Sequence, residues 1–136
     1  MKEQLKLCES VARKAHGTQT RRDGRPYISH PQRVASMFPD NRVLACIAWL
    51  HDVIEDSDET VESLIEKGVS SVTANCVDLI TRKNGQDYDD YLDGIVQMGD
   101  VAKVKIADIT DNLCDSPTEN QKNKYHKAIG ILLGSL

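Results

Sequence analysis

The sequence is poor in aromatic residues and contains no long hydrophobic segment. One Trp, one Phe and four Tyr amount to 4% of 136 residues, so the core must be built from Leu, Ile, Val and Ala. No window approaches the roughly 18 consecutive apolar residues of a membrane span. The charged segment 1–6 lacks the apolar stretch of a signal peptide. We therefore expect a cytoplasmic protein with no membrane partner.

The four cysteines include no CxxC pair, which leaves a zinc knuckle or a thioredoxin-type motif without support. They are Cys8, Cys46, Cys76 and Cys114, and each falls within an apolar stretch. A free cysteine in such a setting behaves as a small buried hydrophobe. The pattern predicts reduced thiols in the core.

The sequence also lacks an excess of positive charge. It carries 17 Lys and Arg against 21 Asp and Glu, a formal charge of −4. Nucleic-acid binders are normally basic, so we expect no nucleic-acid partner. The length, with 40% apolar and 28% charged residues, is typical of one soluble globular domain, here residues 1–136.

Helical periodicity dominates the pattern of apolar residues. An apolar stripe recurs at helical spacing over residues 5–15 and ends at Gly17. Further helices are predicted at 31–38, 42–54, 60–67, 70–82, 88–98, 101–113 and 118–133. Only segment 101–106 could equally form a strand. The sequence therefore predicts an all-α fold, a compact bundle of seven to eight short helices.

The first candidate site is the dipeptide His51-Asp52, near the end of a predicted apolar helix. Burying an ionised Asp there costs several kcal/mol unless a cation or a polar network compensates. Glu55 and Asp56 follow within about one turn, and like charges this close repel one another without a partner cation. A solvated acidic helix end would also explain this segment if it stood alone.

Two further residues extend this site. His30 directly precedes a predicted helix, and Asp108 ends an apolar run. With His51 and Asp52 they make two imidazoles and two carboxylates, a ligand set suited to Mn²⁺, Fe²⁺, Co²⁺ or Zn²⁺. Four protein ligands on an octahedral ion leave two positions for water and substrate.

These motifs resemble the HD-domain metal-dependent phosphohydrolases, specifically the hydrolase domain of RelA/SpoT enzymes and the small alarmone hydrolases. The matching stretches occur in family order at 15–19, 21–31, 34–35, 50–56, 60, 81, 88, 91, 105–108 and 111–113. An HD dipeptide alone is common, whereas this ordered set, spread over about residues 11–128, is specific. The resemblance implies a compact HD-domain helical bundle.

The resemblance also implies the roles of six site residues. The implied Mn²⁺ ligands are His30, His51, Asp52 and Asp108. Glu55 and Asp56 match the acidic pair of hydrolase-competent members, which would orient or deprotonate the attacking water. The high local negative charge favours proton acceptance by at least one of them near neutral pH.

Three further residues are implied to bind substrate. Arg21 and Arg22 occupy the family positions beside the purine ring, where a guanidinium can stack on a base and still hydrogen-bond to its edge. Asn112 matches a residue near the ribose and its 3′-phosphates. Lys103 and Lys105 either help to neutralise phosphate or belong to a solvated helix face.

The resemblance implies hydrolysis of the 3′-pyrophosphate of ppGpp or pppGpp to GDP or GTP and pyrophosphate. One alternative is another nucleotide substrate: a nucleoside mono- or triphosphate, an adenosine alarmone or NADPH. A catalytically silent nucleotide-binding module is the other, although the presence of Glu55 and Asp56 argues against it. The chain is shorter than typical small alarmone hydrolases. This predicts a pocket that is more open, completed by a second subunit in a homo-oligomer, or tuned to a different nucleotide.

Overall fold

The computed structural model describes residues 2–136, which form nine helical segments and no strand. The segments are α1 (Lys2–His16), α2 (Ser29–Ser36), α3 (Arg42–Leu50), α4 (Val53–Asp56), α5 (Val61–Glu66), α6 (Ser71–Ile80), α7 (Tyr88–Val96), α8 (Gly99–Leu113) and α9 (Glu119–Gly134). α4 is a single turn, and the other eight are longer. The predicted all-α bundle of seven to eight helices is thereby confirmed, and segment 101–106 is helical within α8.

Side-chain caps explain where several helices begin. The Asn41 side chain accepts a hydrogen bond from the Leu44 N–H at the start of α3. Thr60 and Thr118 each form a reciprocal capping box at the start of α5 and α9. Such caps satisfy backbone N–H groups that have no partner within the helix. After α5 the chain passes through Gly68 with φ +105°, which favours glycine.

Helix α3 lies at the centre of the bundle. Its seven residues from Leu44 to Leu50 are all buried, and it packs against α1, α2, α6 and α8. A helix that is apolar on every side is stable in water only when other helices cover all of its faces. Because α3 ends in the interior, the next two residues, His51 and Asp52, also lie inside the protein.

The helix predicted over 42–54 is interrupted in the structure. α3 ends at Leu50 and α4 begins at Val53, with His51 and Asp52 in the break. Asp52 has φ −108° and ψ 1°, outside the helical region. The break turns the two side chains of the dipeptide toward one site, which the regular 100° step of a continuous helix would not do.

The prediction of four buried cysteines is wrong at one position. Cys8, Cys46 and Cys76 are buried, whereas Cys114 is exposed. Cys114 directly follows the last residue of α8, in the connection to α9.

Within residues 2–136, no helix combines the length and the apolar character that crossing a bilayer requires.

The central position of α3 predicts a large loss of stability on truncation there. Ile47 is fully buried, so Ile47→Ala should lower the free energy of unfolding by about 2–5 kcal/mol. Val72, which is 66% exposed on α6, provides the control: Val72→Ala should change it by less than about 0.5 kcal/mol. Urea denaturation measures both, and equal losses would contradict the packing described.

Candidate metal centre and substrate pocket

Four side chains from distant parts of the chain meet in the interior of the bundle. One ligand atom from each lies within 4.8 Å of the others: His30 on α2, His51 and Asp52 in the α3–α4 break, and Asp108 on α8. His30 Nε2 is 2.8 Å from Asp108 Oδ1 and 3.1 Å from His51 Nε2. Only Asp52 of the four is more than marginally exposed. The fold thus brings together the four ligands predicted from the sequence.

In both histidines of the cluster, a hydrogen-bond acceptor lies beside Nδ1, the ring nitrogen that faces away from the other ligand atoms. His51 Nδ1 lies 2.6 Å from the carbonyl oxygen of Ala48, and His30 Nδ1 lies 2.6 Å from Asp111 Oδ2. When Nδ1–H donates to these acceptors, the Nε2 lone pairs of both rings face the same point. These two nitrogen atoms are 3.1 Å apart, so their lone pairs repel unless a proton or a metal cation lies between them. Ligand atoms that share one divalent ion at about 2.1 Å lie about 3 Å apart, so the donor set fits such an ion.

The two carboxylates of the cluster are held in place by neighbouring side chains. The Tyr27 hydroxyl donates to Asp52 Oδ2. Lys105 Nζ donates to Asp108 Oδ2 at 2.9 Å, and Asn112 Nδ2 donates to Asp108 Oδ1 at 3.2 Å. Hydrogen bonds of this kind fix the direction of a ligating carboxylate.

The charges of the cluster favour a bound cation. Burial raises the pKa of Asp52, but the charge and the hydrogen bond of His51, together with the charge of His30, outweigh it and lower the pKa to about 2. Burial lowers the pKa of His51, and the charges of Asp52 and Asp108 more than reverse this, raising the pKa well above its usual value. Burial also raises the pKa of Asp108, and the charges of Lys105 and His51 more than reverse this, lowering it well below its usual value. Both carboxylates are therefore ionised at neutral pH, and they attract positive charge, a proton or a metal cation, to the Nε2 atoms.

Glu55 and Asp56 lie on α4 at the edge of the cluster. Partial burial, followed by the negative charge of Asp52, raises the pKa of each. Glu55 lines the cavity described below, and Asp56 Oδ2 accepts a hydrogen bond from Gln19 Nε2 at 3.3 Å. The two carboxylates are adjacent in sequence, but only Glu55 lines the cavity, while Asp56 is hydrogen-bonded to Gln19.

A cavity of about 170 Å³ opens directly onto the cluster. Its lining includes three cationic and three tyrosine side chains: Arg82, Lys105, Lys124, Tyr88, Tyr91 and Tyr125. Lys124 Nζ lies 4.2 Å from the centre of the Tyr88 ring. The buried Tyr88 hydroxyl has no hydrogen-bond partner among the described residues. Cations beside a negatively charged cluster make a site for an anion that also contacts a bound metal.

Sequence reasoning missed Arg82, Lys124 and Tyr125. The only signal in the sequence was the basic character of segment 122–127, which also suits a solvated helix face. Lys124 and Tyr125 reach the cavity because α9 packs against α7 and α8. This placement is a property of the tertiary structure and leaves no local pattern.

The two arginines predicted to flank a base have different environments. The Arg21 side chain is buried and donates to Asp111 Oδ2 at 3.0 Å, to Asp115 Oδ2 at 3.2 Å and to Asn112 Oδ1 at 3.3 Å. Arg22 is exposed, and its nearest acceptor is Gln121 Oε1 at 3.5 Å. The guanidinium of Arg21 is therefore occupied by protein acceptors, while that of Arg22 faces solvent.

No family model matches the chain. Several curated proteins are similar to it, among them two bacterial enzymes. The guanosine-3′,5′-bis(diphosphate) 3′-pyrophosphohydrolase of Vibrio cholerae is 37% identical over 125 residues, covering 82% of this chain and 18% of that protein. The bifunctional (p)ppGpp synthase/hydrolase SpoT of Escherichia coli is 33% identical over 122 residues, covering 80% of this chain and 17% of that protein. The chain thus spans less than a fifth of the length of these relatives.

A solved structure described as a metazoan ortholog of SpoT that hydrolyzes ppGpp has the same fold. It superposes with a TM-score of 0.79 at 20% identity, covering 97% of this chain and 84% of that one. The sequence similarity to SpoT-type hydrolases and this helical architecture agree with the resemblance found in the motifs. The chain therefore belongs to the HD-domain family of the RelA/SpoT-type hydrolases.

Proposed function

We propose that this chain is a metal-dependent phosphohydrolase that removes the 3′-pyrophosphate from ppGpp or pppGpp, yielding GDP or GTP and pyrophosphate. The observation that carries the proposal is the cluster of His30, His51, Asp52 and Asp108 beside a cavity lined by cations. The names of the relatives from V. cholerae and E. coli support the substrate.

The four residues of this cluster would hold one divalent ion, which we propose to be Mn²⁺. Imidazole nitrogens and carboxylate oxygens suit Mn²⁺, and the cluster contains no thiolate that would favour softer ions. When bound, such an ion supplies a Lewis acid that activates water and offsets the charge on the phosphoryl oxygens.

Glu55 and Asp56 would handle the attacking water. Glu55 faces the cavity, and we assign its carboxylate the role of accepting the proton. Its raised pKa brings it closer to neutral pH, where a general base is most effective. Asp56, held by Gln19, would orient the water.

The remaining contacts would go to the nucleotide. Arg82, Lys105 and Lys124 line the cavity and would neutralise phosphate charge. Asn112 lines the same cavity and would contact the ribose and its 3′-phosphates. Exposed Arg22 would flank the base. Arg21, whose guanidinium is occupied, would act by holding the loop against α8.

A second candidate is the same reaction class on another nucleotide: a nucleoside mono- or triphosphate, an adenosine alarmone or NADPH. The burial of Arg21 favours it, because only one arginine of the pair then remains exposed to select a base. Incubation with Mn²⁺ and a panel of ppGpp, pppGpp, ppApp, GTP and NADPH, read by anion-exchange chromatography, separates the candidates. Pyrophosphate release from the guanosine alarmones above all others supports the first, and no release from them defeats it.

Three sequence-based expectations stay predictions. They are a single domain over residues 1–136, a cytoplasmic location and, as one of the three alternatives given for the pocket, its completion by a second subunit in a homo-oligomer. Sedimentation velocity of the purified chain tests the last of these.

Loss of one ligand should abolish tight metal binding. Asp52→Asn removes a carboxylate that faces both imidazoles, so affinity for Mn²⁺ should fall at least about 100-fold. Asp93→Asn makes the same change at an exposed carboxylate of α7 and should leave the affinity unchanged. Isothermal titration calorimetry measures both variants, and equal affinities would contradict the assignment of the ligands.

Removal of the acidic pair should separate turnover from metal binding. The double variant Glu55→Gln, Asp56→Asn should lower kcat for ppGpp at least about 100-fold, because the proton acceptor is lost. Its affinity for Mn²⁺ should stay near that of the unaltered protein. Asp58→Asn changes a nearby exposed carboxylate and serves as the control. Turnover that survives in the double variant would refute the assigned roles.

A further inference from the structure

We infer that Asp111 is a positioning residue for the metal-binding ring of His30, and that Arg21 and Arg33 hold Asp111 in place for this purpose. The inference rests on the proposed metal site. It concerns a side chain outside the four ligands and the catalytic pair, contributed by a different helix from the one that carries His30.

The contacts of Asp111 account for both of its carboxylate oxygens. The side chain lies on α8, about one turn after Asp108, and is buried. Oδ2 is 2.6 Å from His30 Nδ1 and accepts from Arg21 Nη1 at 3.0 Å and from Arg33 Nη2 at 3.1 Å. Oδ1 accepts from Arg33 Nε at 2.7 Å. The carboxylate thus joins α2, α8 and the loop before α2.

The two metal-binding rings are oriented by different devices. His51 Nδ1 donates to the backbone carbonyl of Ala48, which the helix supplies whatever the side chains are. His30 Nδ1 instead donates to an ionised carboxylate. A carboxylate on Nδ1 fixes the tautomer and the rotation of the ring, and it makes Nε2 a stronger donor to a cation. The orientation of His30 therefore depends on one side chain, and that of His51 does not.

Arg33 and Arg21 keep this carboxylate from turning away. Arg33 donates to both carboxylate oxygens of Asp111, in the bidentate geometry that guanidinium and carboxylate groups favour. It lies on the same helix as His30, one turn later. Two guanidinium groups also offset the cost of burying the charge of Asp111. Because Arg21 belongs to the loop that carries Arg22, the position of this loop is tied to the same carboxylate as the metal-binding ring.

The chain offers a matched pair of substitutions to test this role. Asp111→Asn removes the negative charge beside His30 Nδ1. Asp115→Asn removes a carboxylate that contacts Arg21 and Arg25 and that forms no hydrogen bond or ion pair with His30 within the described residues. Titration calorimetry with Mn²⁺ alone should show a loss of affinity of about 10–100-fold for Asp111→Asn. The loss for Asp115→Asn should stay within about threefold.

Kinetics supply a readout that a purely structural role would not move. The Mn²⁺ concentration for half-maximal activation of ppGpp hydrolysis should rise in Asp111→Asn and stay near that of the unaltered protein in Asp115→Asn. Mn²⁺ affinity equal to that of the unaltered protein, or an equal loss in both variants, overturns the inference. Since calorimetry needs no nucleotide, a failure to hydrolyse ppGpp leaves this test intact and counts against the proposed function only.

A third variant covers the case in which Asp111→Asn fails to fold. Arg33→Ala removes the paired contact to Asp111, and folding should tolerate it because its side chain is 37% exposed. Circular dichroism checks the fold, and Mn²⁺ affinity should fall about threefold to tenfold because the carboxylate is less firmly held. Unchanged affinity in the folded variant overturns the role given to Arg33 and, if Asp111→Asn does not fold, the inference itself.

Discussion

The crowding of like groups at one buried point is the constraint on which the rest of the structure depends. Two ionised carboxylates and two imidazole nitrogens converge within 4.8 Å, where the carboxylates repel each other, the imidazole lone pairs do the same, and all four groups lose hydration. A divalent cation reverses both costs, since every group that repelled the others then binds the ion. The net charge of −4 therefore says little about substrate, because a bound ion and the local cations change the field at the site.

The fold meets this constraint by providing a hydrogen-bond partner that fixes the position of each side chain in the cluster. α3 is apolar on every side and ends inside the bundle, so His51 and Asp52 arrive at the site through a break in the helix. Hydrogen bonds then fix each group separately: Ala48 and Asp111 hold the two rings, and Tyr27 and Lys105 hold the carboxylates. Partners of this kind are as much part of a metal site as the ligands themselves.

The sequence predicted most of the helices and much of the His/Asp cluster, because both leave local signals. Helices show apolar periodicity and caps such as Asn41. His51-Asp52 and Asp108 lie at the ends of apolar runs, whereas His30 has no such setting and was joined to them through the family resemblance. The break at His51-Asp52 was missed, because an apolar segment does not reveal where tertiary contacts interrupt a helix. Arg82, Lys124 and the burial of Arg21 were missed for the same reason, since each depends on which helix lies opposite.

The central claim is that one divalent ion in this cluster enables phosphohydrolysis. Stepwise addition of Mn²⁺ to metal-free protein, with pyrophosphate release from ppGpp followed at each step, tests it most directly. The account predicts no release without metal and a rate that grows with bound Mn²⁺ until one ion per chain is reached. Release by the metal-free protein, or no release after one ion has bound, would contradict it.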